Sequence, residues 1–249
     1  MELKGTVALV TGCTGGLGQR ICRALAERGA HIAGVYQHSR EAAETLTAEW
    51  SALGPRSAPF QADVTDPGEI AGLVERVRAE FGRIDILVNN AAYNQWVPFK
   101  DLEGLTLELW ERILRTNTTG PLLCVKAVAP VMQRQGRGRI VNVGSVAGLQ
   151  PMGSSIAYAV SKAALTHLTR CLAVALGPEI TVNTVAPGAL RGTKMTARLD
   201  PEYIERGRKL SALQRLVECD DVALQVVAFC ESDSTTGQVL VIDAGRVYL

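Results

Sequence analysis

Short apolar segments rich in β-branched residues alternate with helical segments along almost the whole chain. Continuous apolar runs of this kind are typical of strands that are buried on both faces of a sheet. Right-handed helical crossovers between such strands produce a doubly wound fold. The alternation therefore predicts an α/β fold in which helices cover both faces of a parallel sheet. The predicted strands are 7–10, 32–35, 58–61 (the weakest), 84–88, 140–143, 180–185 and 239–242, and the predicted helices are 17–28, 40–53, 67–81, 107–134, 155–176 and 220–231.

No linker, repeat or low-complexity block interrupts this pattern, so residues 1–249 are predicted to form one domain. The polar segment 189–213 is irregular and contains Pro201. A long irregular connection in a compact domain is often a binding loop, although a short surface helix fits its composition equally well. A net charge of +1 without long charged runs gives nucleic-acid or membrane-surface binding no electrostatic support.

The first residues of the chain and its cysteines indicate the cellular compartment of the protein. Residues 1–5 lead directly into the first strand without the layout of a signal peptide, and no apolar stretch reaches the length of a membrane span. The six cysteines form no C-x-x-C pair, and there are only three histidines. These features predict a cytoplasmic protein with free buried thiols and no metal site.

A glycine-rich turn follows the first strand and opens a helix. It reads Thr11-Gly12-Cys13-Thr14-Gly15-Gly16-Leu17-Gly18. Glycines allow close backbone approach to a pyrophosphate, and a helix N-terminus offers free N–H groups. The turn is therefore predicted to bind a dinucleotide; a βα turn without a ligand is the alternative. No Gly-Lys-Ser/Thr follows, so a P-loop is not supported. The predicted contacts are Gly12, Thr14, Gly16, Leu17 and Gly18.

The end of the second strand bears on the choice between the two nicotinamide cofactors. It reads Tyr36-Gln37-His38-Ser39-Arg40 and lacks the carboxylate that bonds the ribose of NAD. Because arginine suits a phosphate, NADP(H) is favoured, with Tyr36, Ser39 and Arg40 as contacts, and NAD(H) remains possible. Alternatively, Arg40 only solvates the first turn of the next helix.

Polar residues also end the third and fourth strands, at the edge of the sheet where ligands bind. Asp63-Val64 is predicted to contact the cofactor, unless Asp63 instead caps the helix that starts near Pro67. Asn90 and Ala91 are predicted cofactor contacts, and Asn89 a structural residue.

Tyr158 and Lys162 are four residues apart in a predicted helix, so they project from the same face. A cation near a phenol is expected to lower its pKa, which suits proton exchange with a substrate oxygen. Ser145 lies thirteen residues before Tyr158 and can hydrogen-bond the same oxygen. A solvated helix face, and a serine that merely caps the next turn of the chain, are the alternatives.

Together these motifs resemble the classical short-chain dehydrogenase/reductase family over essentially the whole chain. Asn117, Pro187-Gly188 and the segment Tyr158-Ala159-Val160-Ser161-Lys162 complete the match. The resemblance implies a Rossmann-type fold with a central seven-stranded parallel sheet, assembled as a dimer or tetramer. Residues 138–145 look nearest to the 3-oxoacyl-[acyl-carrier-protein] reductase branch.

The resemblance also implies roles for individual residues. Tyr158 is the general acid/base, Lys162 lowers its pKa and binds the nicotinamide ribose, and Ser145 polarises the substrate carbonyl. Asn117 would hold a water that links Lys162 to solvent, although an asparagine within a helix is usually a local kink or a solvated side chain. Three further residues would contact the nicotinamide, namely Pro187, Gly188 and Thr193.

The predicted substrate walls are uncharged, which favours a small neutral or mildly apolar carbonyl or alcohol. Glu179 would repel an acidic carrier protein, so a carrier-bound or coenzyme-A-bound 3-oxoacyl thioester is the disfavoured alternative. A catalytically idle nucleotide sensor or scaffold is another alternative. An epimerase or dehydratase relative would need more sequence after Pro187. The predicted wall residues are Tyr93, Gln95, Trp96, Ala147, Gln150, Met152, Ser155, Leu190 and Met195.

Overall fold

The computed structural model describes residues 1–248 and confirms the doubly wound α/β fold. Within these residues, seven parallel strands form one sheet in the order β3-β2-β1-β4-β5-β6-β7. The order runs outward from β1 in both directions, so the topology reverses beside β1 and leaves a crevice there. The strands are β1 Val7–Thr11, β2 His31–Tyr36, β3 Ser57–Gln61, β4 Ile86–Asn89, β5 Gly138–Val143, β6 Ile180–Pro187 and β7 Val239–Ile242.

Helices cover both faces of the sheet, and each face has its own apolar core. Ala8 and Val10 of β1 pack into one core, whereas Val7 and Leu9 pack into the other, as the two-residue repeat of a strand requires. The first core lies against α1 and α8, and the second against α3 and α5. The α-helices are α1 Gly16–Glu27, α2 Arg40–Ser51, α3 Pro67–Phe81, α4 Leu107–Leu114, α5 Gly120–Arg134, α6 Ile156–Leu176, α7 Pro201–Leu210 and α8 Cys219–Glu231.

The weakest predicted strand is present as β3. All five of its residues pair with β2, and Pro59 stands opposite Gly34. Proline has no N–H for a strand on its far side, and β3 lies at the edge of the sheet where none is needed.

The helix predicted at 107–134 is interrupted. A π-helical turn, Arg115–Thr119, separates α4 from α5. Pro121 lies four residues after Asn117 and has no N–H for an α-helical bond to its carbonyl. Apolar segments stand on both sides of the interruption, at 107–114 and 121–125, which explains why the pattern indicated a single helix.

The segment 189–213 is partly helical. It contains a 3-10 turn, Thr196–Arg198, followed by α7. Asp200 caps α7 by accepting a hydrogen bond from the Tyr203 N–H at 3.0 Å, and Pro201 occupies its first turn. A short helix therefore stands within an irregular connection, and the binding-loop interpretation stays a prediction.

No helix within residues 1–248 combines the length and the apolar character that crossing a membrane requires.

Candidate active site

A cavity of about 580 Å³ opens at the carboxyl ends of the strands. It collects residues from the glycine turn, the ends of β2, β4, β5 and β6, α6 and the segment 189–213. All predicted cofactor contacts except Arg40 line it. These are Gly12, Thr14, Gly16, Leu17, Gly18, Tyr36, Ser39, Asp63, Val64, Asn90, Ala91, Tyr158, Lys162, Pro187, Gly188 and Thr193.

Close contacts leave no room for a side chain at two glycines of the turn. Gly12 has a φ of +66°, and a Cβ there would lie 3.0 Å from the Ala91 Cα atom. A Cβ on Gly18 would lie only 2.2 Å from the Gly12 carbonyl oxygen. Among residues 1–248, no side chain caps the N-terminus of α1, and its first turn carries no acid. The N–H groups of that turn are therefore available to an anion.

Residues at the end of β4 hold this turn in place. The Asn90 Nδ2 atom donates to the carbonyl oxygens of Thr11 and Gly12 at 2.9 and 3.0 Å. The Thr11 hydroxyl accepts the N–H groups of Asn90 and Ala91, both at 3.0 Å. Asn90 thus lines the cavity while its amide donors support the glycine turn.

Asn89 has the structural role that was predicted for it. Its Nδ2 atom donates to Asn142 Oδ1 at 2.8 Å, and the Asn142 amide donates to the Thr169 hydroxyl at 2.8 Å. These buried bonds join β4 and β5 to α6. They fix the helix that carries Tyr158 relative to the sheet.

The end of β2 presents no carboxylate of its own. Tyr36, Gln37, His38 and Ser39 line the cavity, whereas Arg40 lies outside the lining and pairs with Glu44 at 2.8 Å. The Arg40 side chain is 77% exposed. The alternative interpretation of Arg40, as a solvated residue in the first turn of α2, matches this position.

Asp63 lines the cavity but does not cap α3. Its carboxylate accepts from Gln37 Nε2 and from the N–H and hydroxyl of Thr65, each at 2.8 Å. Asp66 caps the helix instead, by accepting the N–H groups of Gly68 and Glu69.

Tyr158 and Lys162 project from α6 into the cavity. Ser155 begins the helix by accepting the Tyr158 N–H at 3.2 Å. The Lys162 Nζ atom donates to the Val143 carbonyl at the end of β5 at 2.8 Å. It lies 5.8 Å from the centroid of the Tyr158 ring.

The expected lowering of the Tyr158 pKa is not found. Burial raises the pKa of Tyr158 to about 12, a hydrogen bond from Ser145 opposes this rise, and Tyr203 adds to it. Burial lowers the pKa of Lys162 to about 8. Desolvation disfavours the charged form of both groups and is the largest cause of each shift. The structure therefore holds Tyr158 as a neutral phenol, which is a proton donor.

Ser145 faces the cavity and also caps the short 3-10 turn Val146–Gly148. Its hydroxyl oxygen accepts the Ala147 N–H at 3.1 Å, and the hydroxyl points toward the Pro187 carbonyl at 3.5 Å. The predicted capping role and the predicted position beside the substrate are therefore compatible.

Asn117 is buried in the π-helical turn and does not line the cavity. Its amide accepts the Tyr93 N–H at 2.8 Å and donates to the Tyr93 carbonyl at 2.9 Å. It also donates to the Ser161 hydroxyl at 3.1 Å. The side chain therefore ties the loop after β4 to α6, one residue before Lys162.

The predicted substrate residues divide into two groups. Met152 and Leu190 line the cavity, whereas Gln95, Trp96 and Ser155 do not. Ser155 is fully buried as the helix cap. Gln95 bonds the Tyr93 hydroxyl, and the Trp96 ring packs on Tyr203, with ring centroids 5.2 Å apart.

The predicted substrate wall residues that line the cavity are uncharged, but the cavity as a whole is not. Besides Lys162, it contains the cationic side chains of Arg112, Arg115, Lys194 and Arg246. Within residues 1–248, Asp63 is its one acidic member. Arg246 follows β7, and the rule that ligands bind beyond the carboxyl ends of strands would have indicated it from the sequence.

No group of three or more His, Cys, Asp and Glu side chains in residues 1–248 is arranged to hold a metal ion.

Comparison with known proteins gives a consistent family. The model of the short chain dehydrogenase family matches residues 6–204. Ketoacyl reductase 2 of the granaticin polyketide synthase from Streptomyces violaceoruber is 39% identical, over 96% of this chain and 95% of that protein. The 3-oxoacyl-[acyl-carrier-protein] reductase of Escherichia coli is 36% identical, over 98% of each chain. These relatives agree with the predicted proximity to the 3-oxoacyl reductase branch.

Solved structures show the same fold. NADPH-dependent 3-quinuclidinone reductase from Rhodotorula rubra superposes with a TM-score of 0.91 at 28% identity, over 98% of this chain and 92% of that one. NAD⁺-bound xylitol dehydrogenase superposes with a TM-score of 0.91 at 31% identity, over 98% of this chain and all of that one. The two neighbours use different nicotinamide cofactors, so similarity alone does not assign one to this chain.

Proposed function

This chain belongs to the short chain dehydrogenase family, and on that basis we propose that it reduces the carbonyl group of a small-molecule ketone to a secondary alcohol. The family uses nicotinamide cofactors to interconvert carbonyl and alcohol groups. The observation that carries the proposal is that Ser145, Tyr158 and Lys162 line the same cavity as the glycine turn. A proton donor and a dinucleotide-binding turn are thereby brought to one site.

The residues of the turn fit a nicotinamide dinucleotide. Because Gly12 and Gly18 carry no Cβ, the backbone of the turn stays accessible to a ligand. The first turn of α1 offers N–H groups to a diphosphate. Tyr36 and Ser39 would border the adenosine ribose, and Pro187 the nicotinamide ring. When bound, the cofactor supplies the hydride that the carbonyl carbon receives.

The chain's own residues supply position and a proton. The Ser145 hydroxyl donates a hydrogen bond to the substrate oxygen and so polarises the carbonyl. That oxygen then takes the proton of the neutral Tyr158 hydroxyl, which leaves a phenolate. The Lys162 ammonium stabilises this phenolate by its charge. Asn117 holds the loop after β4 against α6, which keeps Lys162 and Tyr158 in position.

We propose NADP(H) as the preferred cofactor. Its support is that Tyr36, Gln37, His38 and Ser39 offer no carboxylate against a phosphate at the ribose. Arg40 lies next to Ser39, and its exposed pair with Glu44 contributes little to stability. A phosphate dianion can therefore replace Glu44 as its partner at little cost.

The names of the relatives suggest two kinds of ketone. The granaticin reductase and the Escherichia coli 3-oxoacyl reductase both reduce ketoacyl groups by name. A free ketone is our first candidate, since Glu179 would repel an acidic carrier protein. A carrier-bound 3-oxoacyl thioester is the second candidate, favoured by the identity to the 3-oxoacyl reductase. The single domain, the dimer or tetramer and the cytoplasmic location stay predictions.

The decisive experiment is the Tyr158→Phe variant, measured by NADPH consumption against a panel of free ketones and 3-oxoacyl thioesters. Removal of the proton donor is expected to lower kcat by about a hundredfold to ten-thousandfold, because general acid catalysis contributes that much. The melting temperature should stay close to that of the unaltered protein.

Tyr248→Phe is the matched control, since Tyr248 is 77% exposed and lies outside the cavity lining. It should retain full activity. Reduction at an unchanged rate by Tyr158→Phe, with any member of the panel, would contradict the proposed mechanism.

A further inference from the structure

Arg246 lines the cavity beside α7. Its guanidinium carbon lies 5.8 Å from the centroid of the Tyr203 ring. The Tyr203 hydroxyl accepts the Gly153 N–H at 2.8 Å, and a Cβ on Gly153 would lie 3.2 Å from the Tyr158 ring. Arg246 therefore lies beside Tyr203, which bonds the backbone of Gly153 next to the Tyr158 ring.

The helix α7 is shaped to receive this guanidinium. Gly207 lies in the interior of α7, where glycine costs about 1 kcal/mol relative to alanine. A Cβ at Gly207 would lie 2.6 Å from Arg246 Nη1, so alanine at this position would require the guanidinium to shift. Tyr203 and Gly207 are four residues apart and share one face of the helix. Together they form the surface of α7 against which the Arg246 guanidinium packs.

The backbone that carries Arg246 is also fixed. The Asp243 carboxylate accepts the N–H groups of Gly245, Arg246 and Val247 at 2.9, 3.1 and 2.6 Å. Ala244 within this turn has a φ of +60°, which a side chain rarely adopts. A turn held in this way places the side chain on a rigid base.

Arg246 has no counter-ion within the described part of the chain. No carboxylate of residues 1–248 lies within ion-pair distance of it, and its guanidinium donates no hydrogen bond to them. Arg115, by contrast, bonds the Thr65 carbonyl, at the opposite end of the cavity beside the adenosine contacts. Arg115 therefore lies near the predicted cofactor contacts Asp63 and Val64, whereas Arg246 lies beside Tyr203 and Gly207 of α7.

We propose that Arg246 binds a carboxylate of the substrate, so that the ketone reduced at Tyr158 is a keto acid. The proposal rests on the proposed carbonyl reduction and names the class of its substrate. A planar guanidinium seated on an aromatic ring presents paired donors that match a carboxylate. It differs from the neutral substrate that the sequence favoured.

The test compares 4-oxocyclohexanecarboxylate and 5-oxohexanoate with their methyl esters, which keep the ketone and lose the charge. In the unaltered protein, kcat/KM for the acids should exceed that for the esters by about ten- to hundredfold, the usual effect of a hydrogen bond to a charged group. Arg246→Met should remove this preference through KM of the acids and leave the esters and the KM of NADPH unchanged.

Two further variants sharpen the assignment. Arg206→Met removes the same charge from an exposed position on α7 outside the cavity lining, and should keep the acid preference. Gly207→Ala keeps every charge but displaces the guanidinium, and should weaken the preference for the acids as Arg246→Met does.

A binding measurement tests this inference independently of the proposed reaction. In Tyr158→Phe with NADP⁺ present, calorimetric titration should show Arg246-dependent binding of the acids, even if neither acid is reduced by the unaltered protein. Reduction of the esters without any preference for the acids would overturn the inference and leave the reaction standing. Failure of both acids to bind, or a raised KM for NADPH in Arg246→Met, would also overturn it.

Discussion

At the residue scale, burial acts on Tyr158 and Lys162 in opposite directions. It raises the pKa of the phenol to about 12 and lowers that of the ammonium to about 8. Each shift follows from the cost of holding a charge away from water. The pair therefore begins the reaction as a neutral acid beside a cation that is close to losing its proton at neutral pH. Spacing along a helix indicated the contact between them, but burial decided their protonation.

These shifts predict how carbonyl reduction depends on pH. The phenol stays protonated through the usual assay range, and Lys162 is charged below about pH 8 and neutral above it. The reduction rate should therefore be flat near pH 6–7 and decline above about pH 8, where the cation that stabilises the phenolate is lost. A profile of kcat/KM against pH measures this.

Nitrogen-detected NMR of lysine side chains provides the control. The Lys162 resonance, assigned by its loss in Lys162→Met, should titrate near pH 8, below the usual lysine pKa of about 10.4. A Lys162 titration at the usual value would refute the assignment.

At the scale of elements, the glycine turn is a joint between β1, α1 and the end of β4. Gly18 packs against the Gly12 carbonyl, and Asn90 donates to that same oxygen. A nucleotide-binding surface is thus built from backbone atoms, which only glycine leaves accessible. The sequence shows the glycines, while the contact with Asn90 across 78 residues appears only when β4 pairs with β1.

Gly18→Ala should disrupt this joint. A Cβ would lie 2.2 Å from the Gly12 carbonyl oxygen, so the turn must shift. Cofactor affinity is expected to fall by about tenfold or more, and the free energy of unfolding by about 1–3 kcal/mol, as in other overpacked sites. Fluorescence titration with NADPH and denaturant unfolding measure the two effects.

Gly72→Ala in α3 is the matched control. A Cβ there has ordinary space and only a distant contact with the Arg76 side chain. The substitution should leave NADPH affinity unchanged and stabilise the protein by about 0.5–1 kcal/mol, since alanine favours a helix. Equal affinity in Gly18→Ala and Gly72→Ala would show that the packing of the turn is not critical for binding.

At the scale of the whole molecule, the cavity lies between elements that pack on two separate apolar cores. One core supports α1 and the glycine turn, and the other supports α3 and α5 on the opposite face. A ligand that spans the carboxyl edge of the sheet contacts elements anchored in both. Its binding should therefore stabilise the fold as a unit.

The proposed cofactor preference can be measured through this linkage. At a concentration of one hundred times its Kd, NADPH should add about 2.7 kcal/mol to the free energy of unfolding, or about 5–10 °C in Tm. NADH at the same concentration should add less. Differential scanning calorimetry gives both values.

Arg40→Gln should reduce the effect of NADPH toward that of NADH. Arg23→Gln is the control, because Arg23 forms an equivalent exposed pair with Glu27, four residues along α1. A larger Tm rise with NADH than with NADPH in the unaltered protein would refute the preference for NADP(H).

The sequence by itself determined the doubly wound fold, because buried strands and helices carry distinct apolar periods that are local properties of the chain. It also indicated Ser145, Tyr158 and Lys162, since their spacing within and before one helix is local. It did not reveal that Ser155 is only a cap, that Arg40 pairs with Glu44, or that a π-helical turn holds Asn117.

Only the tertiary structure placed Arg246 in the wall of the cavity. Arg246 stands in the cavity because β7 ends there and because Gly207 of α7 leaves it room. Both facts depend on contacts between segments far apart in sequence. The same holds for the pKa values of Tyr158 and Lys162, which burial sets and spacing does not. The local sequence pattern thus determined the fold, whereas the assembled cavity determined the position of Arg246 and the pKa values of Tyr158 and Lys162.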